Sequence, residues 1–220
     1  MDVWELMRAR HSVRRYLNQP IEPEKAEALR QAITEINGES GLHIQLFLEE
    51  PEAFAANQPH YGSFRGCRNY FVVAGPKNAE ETAGYYGEKL VLFAQELGLN
   101  TCWVALTYKK GKLSPELNAG EKVLIVIALG YGEDQGAAHK SKPASRVAEI
   151  TEATPEWFRQ GVEAALLAPT AVNQQQFYFR LEDAGRVAAK AKFGPCRRID
   201  LGIVKYHFEL GAGRENFTWA

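Results

Sequence analysis

The amino-acid sequence predicts an α+β protein. Its 220 residues are enough to bury a sizeable hydrophobic core. Short apolar runs of strand length are mixed with longer stretches in which apolar residues recur at helical spacing. The two kinds of pattern do not follow the steady strand-helix-strand alternation of a parallel sheet, and this favours the α+β class.

Two helices and a strand are predicted in the first 50 residues. Asp2 followed by Glu5 has the spacing of a capping box, so a first helix is predicted from there to the arginines that begin at residue 8. Because proline is favoured in the first helical turn, a second helix is predicted to start at Glu22 and Pro23. Alternating apolar residues between 41 and 50 predict a strand.

The middle of the chain predicts three strands and one long helix. The apolar run 69–75 ends at a Gly-Pro pair and is too short for a buried helix, so it is predicted to be a strand. A helix is predicted over 80–99 and ends near Gly98, because glycine readily adopts the left-handed conformation that closes a helix. The other two strand predictions cover 101–108 and 122–132.

The sequence predicts two halves joined by a polar linker. The stretch 132–146 has no apolar periodicity and indicates an exposed connection. The predicted boundaries are 1–135 for the first half, 136–150 for the linker and 151–220 for the second half, all packed as one compact unit. The elements predicted in the second half are a helix over 155–168, a strand over 177–182, a small helix over 183–193 and a final helix over 198–213.

A faint internal repeat is visible across the two halves. Residues 29–50 and 158–183 show the same order of helix, polar turn, strand and acidic end. Identity between the two stretches is low, and two unrelated α+β units could look this similar by chance. The repeat therefore indicates duplication only weakly.

Composition and charge exclude several classes of partner. Lys and Arg number 26 against 27 Asp and Glu, so a net charge of −1 creates no field that attracts nucleic acid or anionic membrane. No apolar run reaches 18 residues and the N-terminus lacks the order of a signal peptide, which predicts a cytoplasmic protein. Cys67, Cys102 and Cys196 are too far apart for a metal or redox motif and are predicted to be reduced structural thiols.

Familiar catalytic and phosphate-binding motifs are absent from the sequence. It contains no GxxxxGK[ST] loop, no HExxH pair and no GxSxG elbow. The stretch GYGEDQG, residues 130–136, has the wrong spacing and charge for a dinucleotide fingerprint and is predicted to be a turn that ends a strand. We therefore predict neither a metal site nor a set of catalytic side chains.

The stretch RARHSVRRY concentrates four arginines in residues 8–16 of a nearly neutral chain. In an extended backbone, Arg10, Ser12 and Arg14 point to the same side. Two guanidinium groups and one hydroxyl suit a phosphate, because arginine presents forked donors to its oxygens. The alternative is an exposed helix end, whose cations interact favourably with the helix dipole.

These residues resemble the opening motif of the nitroreductase superfamily of flavin mononucleotide (FMN) proteins, R-x-S-x-[RK]-x-[FY]. The matching positions are Arg10, Ser12, Arg14 and Tyr16. The family segment A-P-S-x-x-N-x-Q is similar to APTAVNQQQ, which starts at Ala168 and has Thr170 in place of serine. GLNTCWVA, residues 98–105, is similar to the family's GLGTxW segment.

The resemblance implies a nitroreductase-like fold, with a mostly antiparallel central sheet flanked by helices. In ordinary members two subunits share each flavin site, one giving the arginine motif and the other the A-P-S segment. Here both lie on one chain, which implies an internally duplicated pseudo-dimer that is a monomer or forms a homodimer. Since no second arginine motif precedes the second half, one flavin site per chain is implied.

The family roles of the arginine motif carry over residue by residue. The resemblance implies that Arg10 and Ser12 hold the flavin phosphate and that His11 adds backbone or ring contacts. Arg14 would reach the pyrimidine edge of the isoalloxazine, where negative charge accumulates on reduction. Ala105 and Leu106 match positions whose backbone amides lie near the reactive flavin nitrogen, although many members have glycine or an acidic residue there.

Further implied contacts come from the later part of the chain. Pro169, Thr170 and Asn173 would close the site through hydrogen bonds to the flavin, and an ordinary helix-to-strand turn is the alternative for this stretch. Lys140 and Lys142 match a late basic motif that reaches the phosphate. Exposed lysines in a polar loop are equally compatible with simple solvation.

The resemblance implies an FMN-dependent oxidoreductase. NADH or NADPH would deliver hydride to the flavin, and a small electron-poor acceptor of the nitroaromatic or quinone type would then receive it in a ping-pong scheme. A flavin-binding or flavin-storage protein without catalysis is the alternative of the same fold. A third hypothesis is that residues 8–15 form a surface that binds polyanions. The near-neutral net charge and the few interleaved aromatic residues argue against it.

Overall fold

The computed structural model describes residues 2–54 and 62–220. The chain forms two compact units. The first unit comprises Arg10–Ala79 and Leu90–Ala137, and the second comprises Met1–Ala9, Glu80–Lys89 and Ala138–Ala220. Neither unit is a continuous stretch of chain.

Five helices and seven strands are assigned within the described residues. The helices are α1 (Val3–Ala9), α2 (Pro23–Ser40), α3 (Glu80–Glu96), α4 (Glu156–Ala165) and α5 (Arg197–Ala212). The strands are β1 (His43–Phe47), β2 (Asn69–Pro76), β3 (Asn100–Val104), β4 (Glu121–Gly130), β5 (Phe177–Leu181), β6 (Arg186–Ala191) and β7 (Thr218–Trp219).

The first unit is built on a four-stranded antiparallel sheet in the order β1-β2-β4-β3. The central strand β2 is buried at every position except its last, which fits an uninterrupted apolar run covered on both faces. Helix α2 ends at Gly41, which adopts a φ of 68° and donates its N–H to the Asn37 carbonyl. This left-handed cap turns the chain into β1.

The second unit pairs a small sheet with closely packed helices. Its strands lie in the order β5-β6-β7, with β5 and β6 antiparallel and β6 and β7 parallel. Helices α4 and α5 approach closely at Gly161, where a Cβ would lie only 2.7 Å from the Phe208 ring. The α5 glycine Gly202 likewise lies against the backbone of α3, where a Cβ would meet the Glu81 carbonyl oxygen at 1.9 Å. Glycine is needed at both helix crossings.

A fully buried ionisable pair lies inside the second unit. The Nε2 atom of His207 lies 2.9 Å from Glu88 Oε1, and its Nδ1 atom lies 3.1 Å from the Ala164 carbonyl oxygen. A carbonyl oxygen can only accept a hydrogen bond, so Nδ1 of His207 carries a proton. A second proton is shared between Nε2 of His207 and the carboxyl group of Glu88. The pair ties α3, α4 and α5 together through hydrogen bonds instead of leaving buried charges unpaired.

The predicted fold class is confirmed. The chain mixes helices with an antiparallel central sheet. At the start of α1, the Asp2 N–H donates to Glu5 Oε2 at 3.2 Å, which is one of the two hydrogen bonds of the predicted capping box. The duplication stays a prediction. Among the described residues, no helix has both the length and the apolar character that crossing a membrane requires.

One predicted element is wrong. Residues 183–193 do not form a small helix, because strand β6 occupies Arg186–Ala191 and pairs with β5 from Phe177↔Ala191 to Leu181↔Val187. Alanine and lysine favour helices in isolation. Here the ladder with β5 outweighs that local preference, after a turn in which Ala184 and Gly185 both have positive φ.

Candidate functional site

The arginine segment is extended and lies along the first unit's sheet. Helix α1 ends at Ala9, and Ser12 forms a parallel bridge with Thr101 of β3. The Val13 N–H donates to the Thr101 carbonyl at 3.0 Å, which fixes the register of the segment on that strand. This bridge and this hydrogen bond place residues 12 and 13 beside β3.

The pKa of one buried thiol, that of Cys102 on β3, is affected by Arg10, Ser12 and Arg14. Burial raises the pKa of Cys102, while the charge of Arg14, a hydrogen bond with Ser12 and the charge of Arg10 lower it, in that order of effect. The three side chains therefore share one region of the sheet. Arg10 is only 3% exposed, so it is not a solvated cation at a helix end.

The chain after β4 holds the arginine segment from the other side. Arg15 Nε donates to Asp134 at 3.1 Å, and the Glu133 N–H donates to the Arg15 carbonyl at 2.9 Å. Gly136 approaches the segment so closely that a Cβ would lie 2.8 Å from His11 Cβ. We refer to residues 131–136 as the acidic turn.

The acidic turn also positions His11. The His11 ring nitrogen Nδ1 lies 3.0 Å from the Gln135 carbonyl oxygen. The Asn100 amide donates to the Gln135 side chain at 3.0 Å, and its oxygen accepts from the Gly132 N–H at 2.9 Å. From the sequence, this stretch was predicted only to end a strand. Its contacts with the arginine segment join residues more than 100 positions apart, so no local pattern indicates them.

Tyr16 closes the segment inside the core of the first unit. It is 3% exposed, its hydroxyl donates to the Val13 carbonyl at 2.8 Å, and burial raises its pKa well above the ordinary value. Its carbonyl oxygen would lie 2.2 Å from a Cβ on Gly66, so glycine is needed where the chain passes over it. The aromatic position of the motif therefore anchors the backbone.

Ala105 and Leu106 lie directly after β3, the strand that pairs with Ser12. Both are exposed, and Leu106 is 84% exposed. The structure thus places them in the same unit as Arg10, His11, Ser12 and Arg14.

The other predicted site residues lie together in the second unit. Pro169 is buried, and Thr170 Oγ1 accepts from the Gln175 N–H at 3.0 Å. The Asn173 amide donates to the Lys140 carbonyl at 3.0 Å. Lys140 is therefore joined to the loop after α4 by its backbone.

Lys142 is bound to the same loop. Its Nζ donates to the Gln174 carbonyl at 2.6 Å, and its N–H donates to Gln175 Oε1 at 2.8 Å. The ammonium group thus has carbonyl partners within the second unit.

The loop from Thr170 to Gln175 has an unusual backbone. Val172, Asn173 and Gln175 have φ values of 47°, 53° and 43°. A left-handed conformation is rare for a β-branched residue such as Val172, whose side chain is 81% exposed. The sequence analysis did not identify this feature, since asparagine alone among the three residues favours positive φ.

A buried carboxylate holds this loop. Asp200, in the first turn of α5, is 5% exposed and accepts from the Ala171 N–H at 3.0 Å and from Gln174 Nε2 at 2.7 Å. Burial raises the pKa of Asp200 to about 6, and the hydrogen bonds from Gln174 and Ala171 oppose that rise. The sequence analysis missed this residue, because it lies inside an apolar helix pattern.

Metal-binding groups were also sought. Across residues 2–54 and 62–220, no group of three or more His, Cys, Asp or Glu side chains is arranged to hold a metal ion.

Comparison with known families identifies the chain. A family model described as "Putative TM nitroreductase" matches residues 2–212. The chain belongs to this nitroreductase family. Its class of protein is therefore an oxidoreductase, and the resemblance seen in the arginine motif is confirmed at the level of the family.

Solved structures share the fold. A structure described as a putative nitroreductase from Thermotoga maritima is 24% identical, covers 98% of this chain and 85% of its own, and has a TM-score of 0.70. One from Desulfovibrio desulfuricans, described as a putative nitroreductase in complex with FMN, is 18% identical over 70% of this chain and 99% of its own, with a TM-score of 0.53.

A third structure comes from Parabacteroides distasonis and is described as a putative NADH dehydrogenase/NAD(P)H nitroreductase. It is 21% identical, covers 66% of this chain and 95% of its own, and has a TM-score of 0.52. No curated protein matches the sequence.

Proposed function

We propose that this nitroreductase family member is an FMN-dependent oxidoreductase whose flavin phosphate is held by Arg10 and Ser12. The observation that carries the proposal is the extended arginine segment, in which a nearly buried arginine, a serine and a second arginine share one region beside β3. Guanidinium and hydroxyl groups that share one region can together donate several hydrogen bonds to a single phosphate group.

The residues present fit the phosphate end of FMN. Two guanidinium groups and a hydroxyl are the donor types that match phosphate oxygens. Gly136, lacking a side chain, lets the acidic turn lie against His11 and Ser12 without blocking the segment. Arg14 is exposed, so its guanidinium is available to an anionic ring edge.

Bound FMN supplies hydride transfer, so the protein's own side chains need to bind and orient the partners. The electron donor we propose is NADH or NADPH, and the acceptor is a small nitroaromatic or quinone, used in alternate turns of a ping-pong cycle. The printed descriptions of the Desulfovibrio and Parabacteroides structures name FMN and NAD(P)H for those proteins and support the proposal. The contacts of Ala105, Leu106, Lys140, Lys142, Pro169, Thr170 and Asn173 with flavin stay predictions from the sequence.

Flavin titration tests the proposal. FMN and riboflavin, which lacks the phosphate, are titrated into the apoprotein while flavin fluorescence and visible absorbance are followed. We expect the wild type to prefer FMN, and Arg10→Lys and Ser12→Ala to lose about tenfold in FMN affinity with little change for riboflavin, because only the phosphate contact is removed. Arg14→Ala should weaken both ligands.

Arg8→Ala is the matched control. Arg8 belongs to the same cluster but is exposed on α1, with its guanidinium 5.2 Å from the Trp4 ring centroid. It should leave both affinities unchanged. Loss of FMN affinity in this variant, or equal binding of FMN and riboflavin by the wild type, would contradict the phosphate site. Bound FMN without oxidation of NADH or NADPH in the presence of a quinone would favour the storage protein.

We also infer that the chain combines two nitroreductase-like halves. In support, the order helix, strand, antiparallel strand, helix occurs twice, as α2-β1-β2-α3 and again as α4-β5-β6-α5. The proposed halves are 1–135 and 151–220, joined by 136–150. On this proposal the protein needs no second chain to complete its flavin site, although it can still pair with a copy of itself.

A further inference from the structure

The loop Thr170–Gln175 is held in a conformation that its residues would not adopt alone. Three of its residues, Val172, Asn173 and Gln175, lie in the left-handed region, and none is glycine. A left-handed backbone is unfavourable for residues other than glycine, so the surrounding structure must fix the loop. Strain of this kind is concentrated at ligand-binding sites, where a fixed geometry is needed.

The groups that fix the loop converge on the start of α5. Asp200 accepts from the Ala171 N–H and from Gln174 Nε2. The same Gln174 amide donates to the Pro195 carbonyl at 2.7 Å, and Gly194 lies against its side chain, where a Cβ would be 2.1 Å from Oε1. Gln174 is thus enclosed between Asp200 and residues 194–195.

Asp200 has the chemistry that this role needs. An ionised carboxylate only accepts, and both groups that face it from the loop are N–H donors. Burial raises the pKa of the nearby Cys196 thiol, and the charge of Asp200 adds to that rise. An asparagine of the same shape would keep an acceptor for Ala171 but would direct its own N–H groups at the Gln174 amide.

We propose that Asp200 is a positioning residue that, through Gln174, holds the strained Thr170–Gln175 loop in the conformation that flavin binding requires. This inference rests on the proposed function, because the ligand of the loop is the FMN proposed above. It adds a residue outside both sequence motifs, in a helix that makes no contact with flavin in the proposal.

The test combines flavin binding with amide hydrogen exchange. Asp200→Asn and Gln174→Ala are expected to raise the FMN dissociation constant about tenfold, as expected when a buried hydrogen bond to a charged group is lost. Without flavin, both should speed exchange in a peptide covering 169–176 and leave a peptide covering 186–191 unchanged. Gln176→Ala is the matched control, since Gln176 is the next glutamine in the same run and pairs with Lys192 through its backbone.

A double-mutant cycle with Val172→Asn separates positioning from general stability. Asparagine tolerates the left-handed conformation better than valine, so the loop needs less help to hold its shape. The loss of FMN affinity caused by Asp200→Asn should therefore be several-fold smaller in the Val172→Asn background than in the wild type. Equal losses in the two backgrounds would overturn the inference.

The remaining outcomes distinguish the two proposals. If the wild type binds FMN and Asp200→Asn binds it equally well, the inference falls and the proposed function stands. If the wild type binds no FMN, the proposed function falls and takes the flavin part of the inference with it. Unchanged exchange in 169–176 overturns the positioning role whatever the flavin result.

Discussion

At the scale of single residues, Asp200 holds the Thr170–Gln175 loop, but burying its carboxylate lowers the free energy of unfolding. A buried carboxylate loses hydration, and its pKa of about 6 lies above its ordinary value of 3.8. Its ionised form is therefore less favoured in the folded state than in the unfolded state. This free-energy cost is nearly absent at pH values below about 3, grows as the pH rises from about 4 towards 6, and is constant above about 7.

Asp200→Asn should reveal this cost as a pH-dependent difference in stability. The free energy of unfolding of the wild type, relative to that of the variant, is expected to fall by up to about 3 kcal/mol between pH 3 and pH 7, because one pKa unit corresponds to about 1.4 kcal/mol. Urea denaturation at four pH values measures it. Asp183→Asn is the control, because the Asp183 side chain is exposed. A constant difference for Asp200→Asn across this range would show that the carboxylate is not buried as described.

At the scale of elements, some strands and contacts could be predicted from the local sequence and others could not. Strand β2 was predictable because its apolar run is bounded by a Gly-Pro pair. Strand β6 was not, because alanine and lysine favour a helix and only pairing with β5 decides the outcome. Arg10, Ser12 and Arg14 could be identified as a set by alternation, whereas Asp134 and Arg15 are 119 residues apart and Asp200 is 29 residues from Ala171. Contacts over such separations arise from tertiary packing and leave no local pattern.

The acidic turn provides an element-scale prediction in a matched pair of glycines. Gly136 and Gly120 both have positive φ, at 69° and 86°, so alanine is strained at either position. A Cβ on Gly136 would also meet His11 Cβ at 2.8 Å and the Ser12 carbonyl oxygen at 3.2 Å, whereas nothing lies within 4 Å of one on Gly120. Gly136→Ala should therefore lower the free energy of unfolding by about 1–3 kcal/mol more than Gly120→Ala does.

Urea unfolding and FMN titration check this difference. Gly136→Ala should also weaken FMN binding, since the arginine segment must move away from the turn to admit a methyl group. Gly120→Ala should leave FMN affinity unchanged. Equal effects of the two substitutions on both measurements would mean that the acidic turn does not position the arginine segment.

At the scale of the whole molecule, the number of flavins per chain follows from how often the phosphate motif occurs. The pattern R-x-S-x-R occurs once in 220 residues, at Arg10, Ser12 and Arg14. Neither the family match over 2–212 nor the repeated helix-strand-strand-helix order adds a second copy of it. If the chain combines two nitroreductase-like halves as proposed, its single arginine segment should bind one FMN.

Light scattering and flavin absorbance on the same sample test this expectation. We expect one FMN per chain and a particle mass near the 24.6 kDa of a single chain, because the pairing that ordinary members make between subunits would be internal here. A particle of twice that mass with one FMN per chain would keep the single site and show that the chain also pairs with a copy of itself. Two FMN per chain would show that the second half binds flavin without arginine donors, and the phosphate role of Arg10 and Ser12 would then no longer explain flavin binding by this fold.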